Sequence, residues 1–261
     1  MIISVLGEPY SFHHVAAMQY WDMQQHFHFH LHFDELIASV QDGQADFGLI
    51  AVENTIAGDV PGNYARVANS GLFIHGEIFL HLDMHLAAKE AVPLSAIHTV
   101  ISHQMALKET APFFLPYPAI RKVPVESTSS AAKYVSEQND PGLAAVANSA
   151  AIRFFKLQII SKNIDNLPNN VTRFLILCKK ERKSDATPGK IKASMLLRSG
   201  IHERLHQHLR LQRPIENGAV YAECHETGSE EWQQKLNNLV AEGVNIQLLG
   251  VYPEGITASG T

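Results

Sequence analysis

Two short segments carry side chains able to work on a small organic anion. Asn169-Asn170-Val171-Thr172-Arg173-Phe174 opens an apolar run, and Glu53-Asn54-Thr55 closes another far upstream. Each sets small polar groups where a strand meets a loop. A guanidinium offers a planar fork to a carboxylate. A threonine supplies one donor and two lone pairs, and an asparagine supplies donors and acceptors. The phenylalanine supplies a dry wall. Neither segment is a metal box or a nucleotide cradle. Taken singly, each also reads as an ordinary polar loop or strand cap; the functional reading rests on finding both, in order, with other matches between them.

Other groupings have blander readings. His26, His28, His30 and His32 alternate with Phe27, Phe29, Leu31 and Phe33. On a strand the imidazoles share one face, about 6.6–6.8 Å apart. No Cys, Asp or Glu sits among them, so they read as the wet face of an amphipathic strand with Phe inward, and no metal site is expected. Ser102-His103 lacks the strained G-x-S-x-G elbow of a hydrolase. No P-loop and no G-x-G-x-x-G follows a strand candidate, which argues against nucleotide chemistry.

The elements that must position these residues alternate. Strand-like runs fall at 2–6, 46–52, 72–86 (a strand and its continuation), 99–101, 119–125, 142–146 and 171–178. Helical spacing falls at 14–23, 33–41, 104–114, 129–138 (capped by Thr128 or Ser129) and 149–155. This rhythm predicts an α/β fold with a largely parallel sheet, whose ligands sit beyond the carboxyl ends of the strands. Ser11, Glu53, Ser102 and Ser127 all fall just past strand candidates. A composition break at 179–190, ending Thr187-Pro188-Gly189, predicts a linker at 181–190. Beyond it, strands at 191–197, 219–224 and 244–251 and helices at 203–209 and 230–241 fit a small α+β unit of the βαββαβ kind.

Composition sets the outer limits. The 261 residues are 46% hydrophobic and 18% charged, ordinary for a globular chain. A net charge of −5 and the lack of a basic stripe argue against a nucleic-acid partner. Cys178 and Cys224 do not make a disulfide framework. The start reads as a strand and turn rather than a signal peptide. No apolar run approaches the roughly 18 residues of a membrane helix. A cytoplasmic protein without a membrane partner is expected.

Taken together, the motifs resemble the prephenate dehydratase family. Residues 7–17 (GEPYSFHHVAA) resemble its glycine-rich opening, and 46–58 (DFGLIAVENTIAG) its acidic-Asn loop. Gly76-Glu77-Ile78 resembles its G-E strand. Ser102-His103 with Ala106-Leu107 resembles S-H-P-x-A-L, and Ser127-Thr128 with Ala131-Ala132 its S/D-T-A loop. The most specific match is 169–174, to N-N-x-T-R-F. The resemblance implies two lobes like those of periplasmic binding proteins over 1–180, with the active site in the cleft, and an ACT-like regulatory domain over 191–261. It implies dehydration and decarboxylation of prephenate to phenylpyruvate, for which no metal, nucleotide or redox cofactor is needed. Thr172 would be the catalytic hydroxyl. Ser11, Asn54, Thr55, Ser102, His103, Ser127, Thr128, Asn170, Arg173 and Phe174 would bind substrate, Arg173 by clamping a carboxylate. Glu53 and Glu109 are left unassigned. A homodimer or homotetramer is implied.

There are departures. Tyr10 stands where the family has glycine, Gln104 where it has proline, and Glu109 where many members carry glutamine. Arg213-Pro214 is the remnant of an E/Q-S-R-P effector motif, and 195–211 is short for the usual loop and helix. Phenylalanine is therefore expected to inhibit weakly or not at all. Two alternatives stay open: arogenate dehydratase, and a lobed sensor that kept the cleft and lost turnover.

Overall fold

The computed structural model describes residues 1–21, 24–165, 169–181, 191–198, 209–226 and 229–259. The chain opens as a wound βαβ unit: β1 (Ile2–Leu6), α1 (Phe12–Tyr20), β2 (His26–His30), α2 (Phe33–Gln41) and β3 (Phe47–Asn54). Helix α2 forms because Leu36, Ile37 and Val40 make one buried stripe while Asp34 and Glu35 sit at the positive end of its dipole. After β4 (Gly58–Asp59) and α3 (Asn63–Asn69), β5 (Phe73–His81) completes this pass through the first lobe.

The chain then crosses to a second lobe. There β6 (His85–Ala88), β7 (Thr99–His103), α4 (Gln104–Glu109), β8 (Arg121–Val125), α5 (Thr128–Glu137), β9 (Leu143–Ala147), α6 (Ser149–Phe154) and β10 (Gln158–Ser161) follow in turn. The sheet order is β10-β6-β9-β7-β8. β11 (Val171–Cys178) returns to the first lobe and inserts between β5 and β3, antiparallel to both. The expected largely parallel sheet is thus corrected to mixed ones. The returning strand β11 and the crossing strand β6 run against the parallel strands of their lobes.

The remaining elements are β12 (Ile191–Leu197), β13 (Leu211–Pro214), β14 (Val220–Glu226), α7 (Ser229–Ala241), β15 (Ile246–Pro253) and β16 (Ile256–Ser259). Four of these strands form an antiparallel sheet in the order β13-β14-β12-β15, while β16 pairs in parallel with β5 of the first lobe. Most of the expected linker at 181–190 and of the expected helix at 203–209 lies outside the described residues. Two local expectations change. Pro112 ends the helix expected over 104–114, which becomes α4 followed by a tight 3-10 turn at Ala111–Phe114. The cap of α5 is Ser127, one residue before the expected pair.

Strand β11 shows how the core is divided. Leu175 and Leu177 join one apolar cluster with Tyr64, Ile74, Leu196, Tyr221, Leu249 and Tyr252. Phe174, Ile176 and Cys178 join another beneath α1. The C-terminal sheet therefore shares a core with the first lobe. Gly250 permits this contact, since a Cβ there would lie 2.1 Å from the Ile74 carbonyl oxygen.

Candidate active site

Asn54, Asn170, Thr172 and Glu109 form one hydrogen-bonded array. The Asn54 side-chain amide donates to Asn170 Oδ1 at 2.7 Å and to Thr172 Oγ1 at 3.0 Å. The Asn54 carbonyl oxygen is fixed in turn by the backbone N–H groups of Ile56 and Ala57, each at 2.8 Å. Thr172 therefore accepts from a rigid donor, and its own O–H is available to another acceptor. Asn170 Nδ2 donates to Glu109 Oε2 at 3.0 Å, which joins the array to α4 of the second lobe. Burial raises the Glu109 carboxyl above its ordinary pKa; the Asn170 bond opposes this and the Asp165 charge adds to it.

A β-bulge sets which side chains reach this array. Arg173 pairs with Glu53 and Phe174 with Ala51, so Val52 is the extra residue on β3. Such a bulge reverses the alternation of side chains beyond it. Asn54 thereby lands beside Thr172, and Glu53 turns to the opposite face, beside Arg173.

That opposite face corrects one expectation. Arg173 is 3% exposed and is not open to a substrate carboxylate. Its guanidinium meets Glu77 at 2.6–2.7 Å and Glu223 at 2.5 Å, with Glu53 at 3.6 Å and Tyr64 Oη at 3.3 Å. Lys192 Nζ lies 2.7 Å from Glu77 and 3.6 Å from Glu223. Burial works against the Arg173 charge, but Glu223 and Glu77 outweigh it and keep the group cationic. Successive residues on a strand face opposite sides, so Thr172 and Arg173 cannot share one site. This rule was available in the sequence.

Phe174 is also corrected: it is 1% exposed, in the core below Thr172, with its ring edge-on to His13. Burial lowers the His13 pKa to about 3, so that ring stays neutral.

The remaining hydroxyls are largely committed to backbone. Thr55 Oγ1 donates to the Asn169 carbonyl and accepts from Val171 N–H, pinning the end of β3 to β11. Ser102 is fully buried and donates to the Val146 carbonyl at 2.7 Å. Ser11 caps α1 and donates to the Leu6 carbonyl. Ser127 caps α5 in a reciprocal box with Ser130, and Thr128 is the buried first residue of that helix. His103 caps α4, accepting from Met105 N–H. These side chains stand at strand ends and helix starts. Their hydroxyls and ring make no bond to the Asn54–Thr172 array.

The lobes also meet at Tyr10. Its φ of +65° is left-handed, a conformation glycine adopts freely and a bulky residue only with strain. The Tyr10 carbonyl accepts from Asn148 Nδ2 of the second lobe at 2.9 Å, and its ring lies 4.3 Å from Phe154. Cross-lobe packing holds the strained residue.

Sequence reading missed a polar cluster at the crossing. Asp83 Oδ2 accepts from the Ser149 hydroxyl and from Ser149 N–H, and His85 Nε2 lies 3.0 Å from Asp83 and 2.8 Å from Ser149 Oγ. His85 Nδ1 accepts from Asn163 N–H, so the proton of the neutral ring is on Nε2. The ring donates to this pair and cannot take the serine proton. The cluster ties the crossing segment to the second lobe and is not a nucleophilic triad.

The pocket lined by Glu53, Asn54, Thr55, Gly58, Asp59, Phe79, Val171, Arg173 and Arg213 lies where the first lobe meets the C-terminal sheet. Arg213 is tied to Asp59 at 2.7–2.9 Å and to Glu53 at 3.3 Å, and Pro214 ends its strand exposed.

These features can be set beside known proteins. A bifunctional chorismate mutase/prephenate dehydratase of Buchnera aphidicola subsp. Baizongia pistaciae is 32% identical over 182 residues, 69% of this chain and 49% of that protein. The chain spans about half the length of the curated relatives it matches first. A solved prephenate dehydratase from Arthrobacter aurescens, in complex with L-Phe, superimposes with a TM-score of 0.84 at 20% identity, covering 97% of this chain and 90% of that one. GqqA, described as a novel type of quorum quenching acylase, superimposes with a TM-score of 0.80 at 24% identity, covering 97% and 98%. At these identities the structural likeness shows the fold alone. A family model described as prephenate dehydratase matches residues 3–182, and on that match the chain belongs to the prephenate dehydratase family.

Proposed function

We propose that this chain converts prephenate to phenylpyruvate, water and carbon dioxide. The observation that carries the reading is the Asn54 amide holding the Thr172 oxygen as an acceptor at 3.0 Å, in an array that reaches Glu109 of the second lobe. Thr172 can then present its proton to the departing ring hydroxyl. A threonine is too weak an acid to release that proton outright, so it acts as an oriented donor. Asn170 orients the substrate from the same array. Ser11, Ser102, Ser127 and Thr128 hold the strand-to-helix loops around it. Closure of the lobes would exclude water.

The C-terminal sheet is read as an ACT-like module: its order β13-β14-β12-β15 is what a βαββαβ chain produces. In the full protein it would pair subunits. No helix among the described residues is long and apolar enough to cross a membrane, and the assignment to the cytoplasm stays a proposal. An acylase activity like that named for GqqA finds no support in the Ser149–His85–Asp83 geometry. Incubating the purified protein with prephenate, and separately with arogenate, tests the reading. Phenylpyruvate absorbance growing from prephenate supports it. Phenylalanine formed from arogenate alone would move the substrate to arogenate, and no product from either would leave the sensor reading.

A further inference from the structure

The proposed reaction has a proton balance that Thr172 cannot meet. The dianion loses its ring carboxylate as carbon dioxide. The electrons of that C–C bond enter the ring, and the C–O bond at the opposite carbon breaks. Hydroxide must leave as water, so each turnover consumes one proton. The Thr172 hydroxyl can relay a proton but holds no spare one near neutral pH.

One group at the array can. Glu109 is half-buried at the end of α4, and its Oε2 accepts from Asn170 Nδ2 at 3.0 Å. Asn170 Oδ1 and Thr172 Oγ1 both accept from the same Asn54 amide. A carboxyl and the donor hydroxyl thus stand at the two ends of one short array, on facing lobes. A second carboxyl, Asp165, is buried and close enough for its charge to act on Glu109.

Resting on the prephenate reading, we propose that Glu109, held against the Asn54–Thr172 array by the Asn170 amide, supplies the proton that leaves with the departing hydroxyl. The proton passes from the Glu109 carboxyl to the oxygen as the C–O bond breaks. Glu109 is left as a carboxylate and is reprotonated from solvent through its exposed side. Asp165 is a positioning residue: its charge favours the protonated form of its neighbour. Burial acts on both carboxyls in the same direction, raising each above its ordinary range. Two neighbouring carboxyls cannot both ionise cheaply. A glutamine at this position could orient a substrate but could not deliver a proton.

The test is the pH profile of kcat/KM for prephenate in the wild type, Glu109→Gln, Glu109→Asp and Asp165→Asn. The sign follows from the acid role: activity needs the protonated carboxyl, so it falls as pH rises through the raised pKa. The wild type should fall tenfold per pH unit beyond that break. Glu109→Gln should be slower by about 10²-fold on the acid side and show no break. Glu109→Asp should restore a break, and Asp165→Asn should move it to lower pH by removing the like charge. Carbon-13 carboxyl resonances of the free proteins give the same titration without turnover and show that each variant is folded. A wild-type break retained in Glu109→Gln would overturn the proposal while leaving the function intact. A wild type inert at every pH would overturn the function itself.

Discussion

Arg173 is where a residue and its motif part company. Its place in a signature with Thr172 and Asn170 suggests a substrate clamp, yet its side chain is buried between Glu77 and Glu223 on the far face of β11. The neighbouring Glu53 takes that face as well, bonded to Tyr64 at 2.9 Å. The four central charges, Arg173, Lys192, Glu77 and Glu223, balance. Removing one leaves buried ions unpaired, which typically costs about 3–5 kcal/mol. Arg173→Met is therefore expected to lower the melting temperature sharply, and the residual folded fraction should bind substrate with unchanged KM. A variant of normal stability with a strongly raised KM would return Arg173 to the substrate site. The identities of Asn54, Asn170 and Thr172 were legible because their motifs are specific. The Glu109 bond to Asn170 was not, since α4 and β11 come from different lobes.

At the scale of elements, the sequence shows period and composition well. α2, β11 and β12 begin and end where apolar spacing places them. What it conceals is pairing. Nothing in residues 47–54 marks Val52 as a bulge, yet that bulge decides that Asn54 rather than Glu53 stands beside Thr172. β16, four residues long, gains its partner only through β5, a contact 178 positions away in the case of Gly255 N–H to Glu77 Oε1. The start of α5 gives a prediction at this scale. Ser127 accepts from Ser130 N–H at 2.9 Å, and Ser127→Ala should cost about 1 kcal/mol in urea denaturation. Unchanged stability with a large rise in KM would instead make Ser127 a substrate ligand.

In the molecule as a whole, a shared core joins the C-terminal sheet to the first lobe. Tyr221 and Tyr252, both almost wholly buried, pack with Leu175 and Ile74, and their hydroxyls meet Ser194 at 2.9 and 2.5 Å. The polar break at 179–190 predicted a linker, and such a break looks the same whether the next unit docks or swings free. Arg213, expected from the sequence to be what remains of an effector motif, is held by Asp59 and Glu53 of the first lobe. An effector would have to displace those ion pairs, so calorimetric titration with phenylalanine should give weak binding or none. A micromolar dissociation constant would show that an effector site persists. The central claim is that Thr172, held by Asn54, expels the ring hydroxyl of prephenate. Comparing phenylpyruvate formation by the wild type and Thr172→Ala tests it most directly. The wild type should turn prephenate over, and the variant should lose about 10²–10³ in kcat with its melting temperature and KM little changed; near-normal kcat in Thr172→Ala would take the hydroxyl out of the reaction.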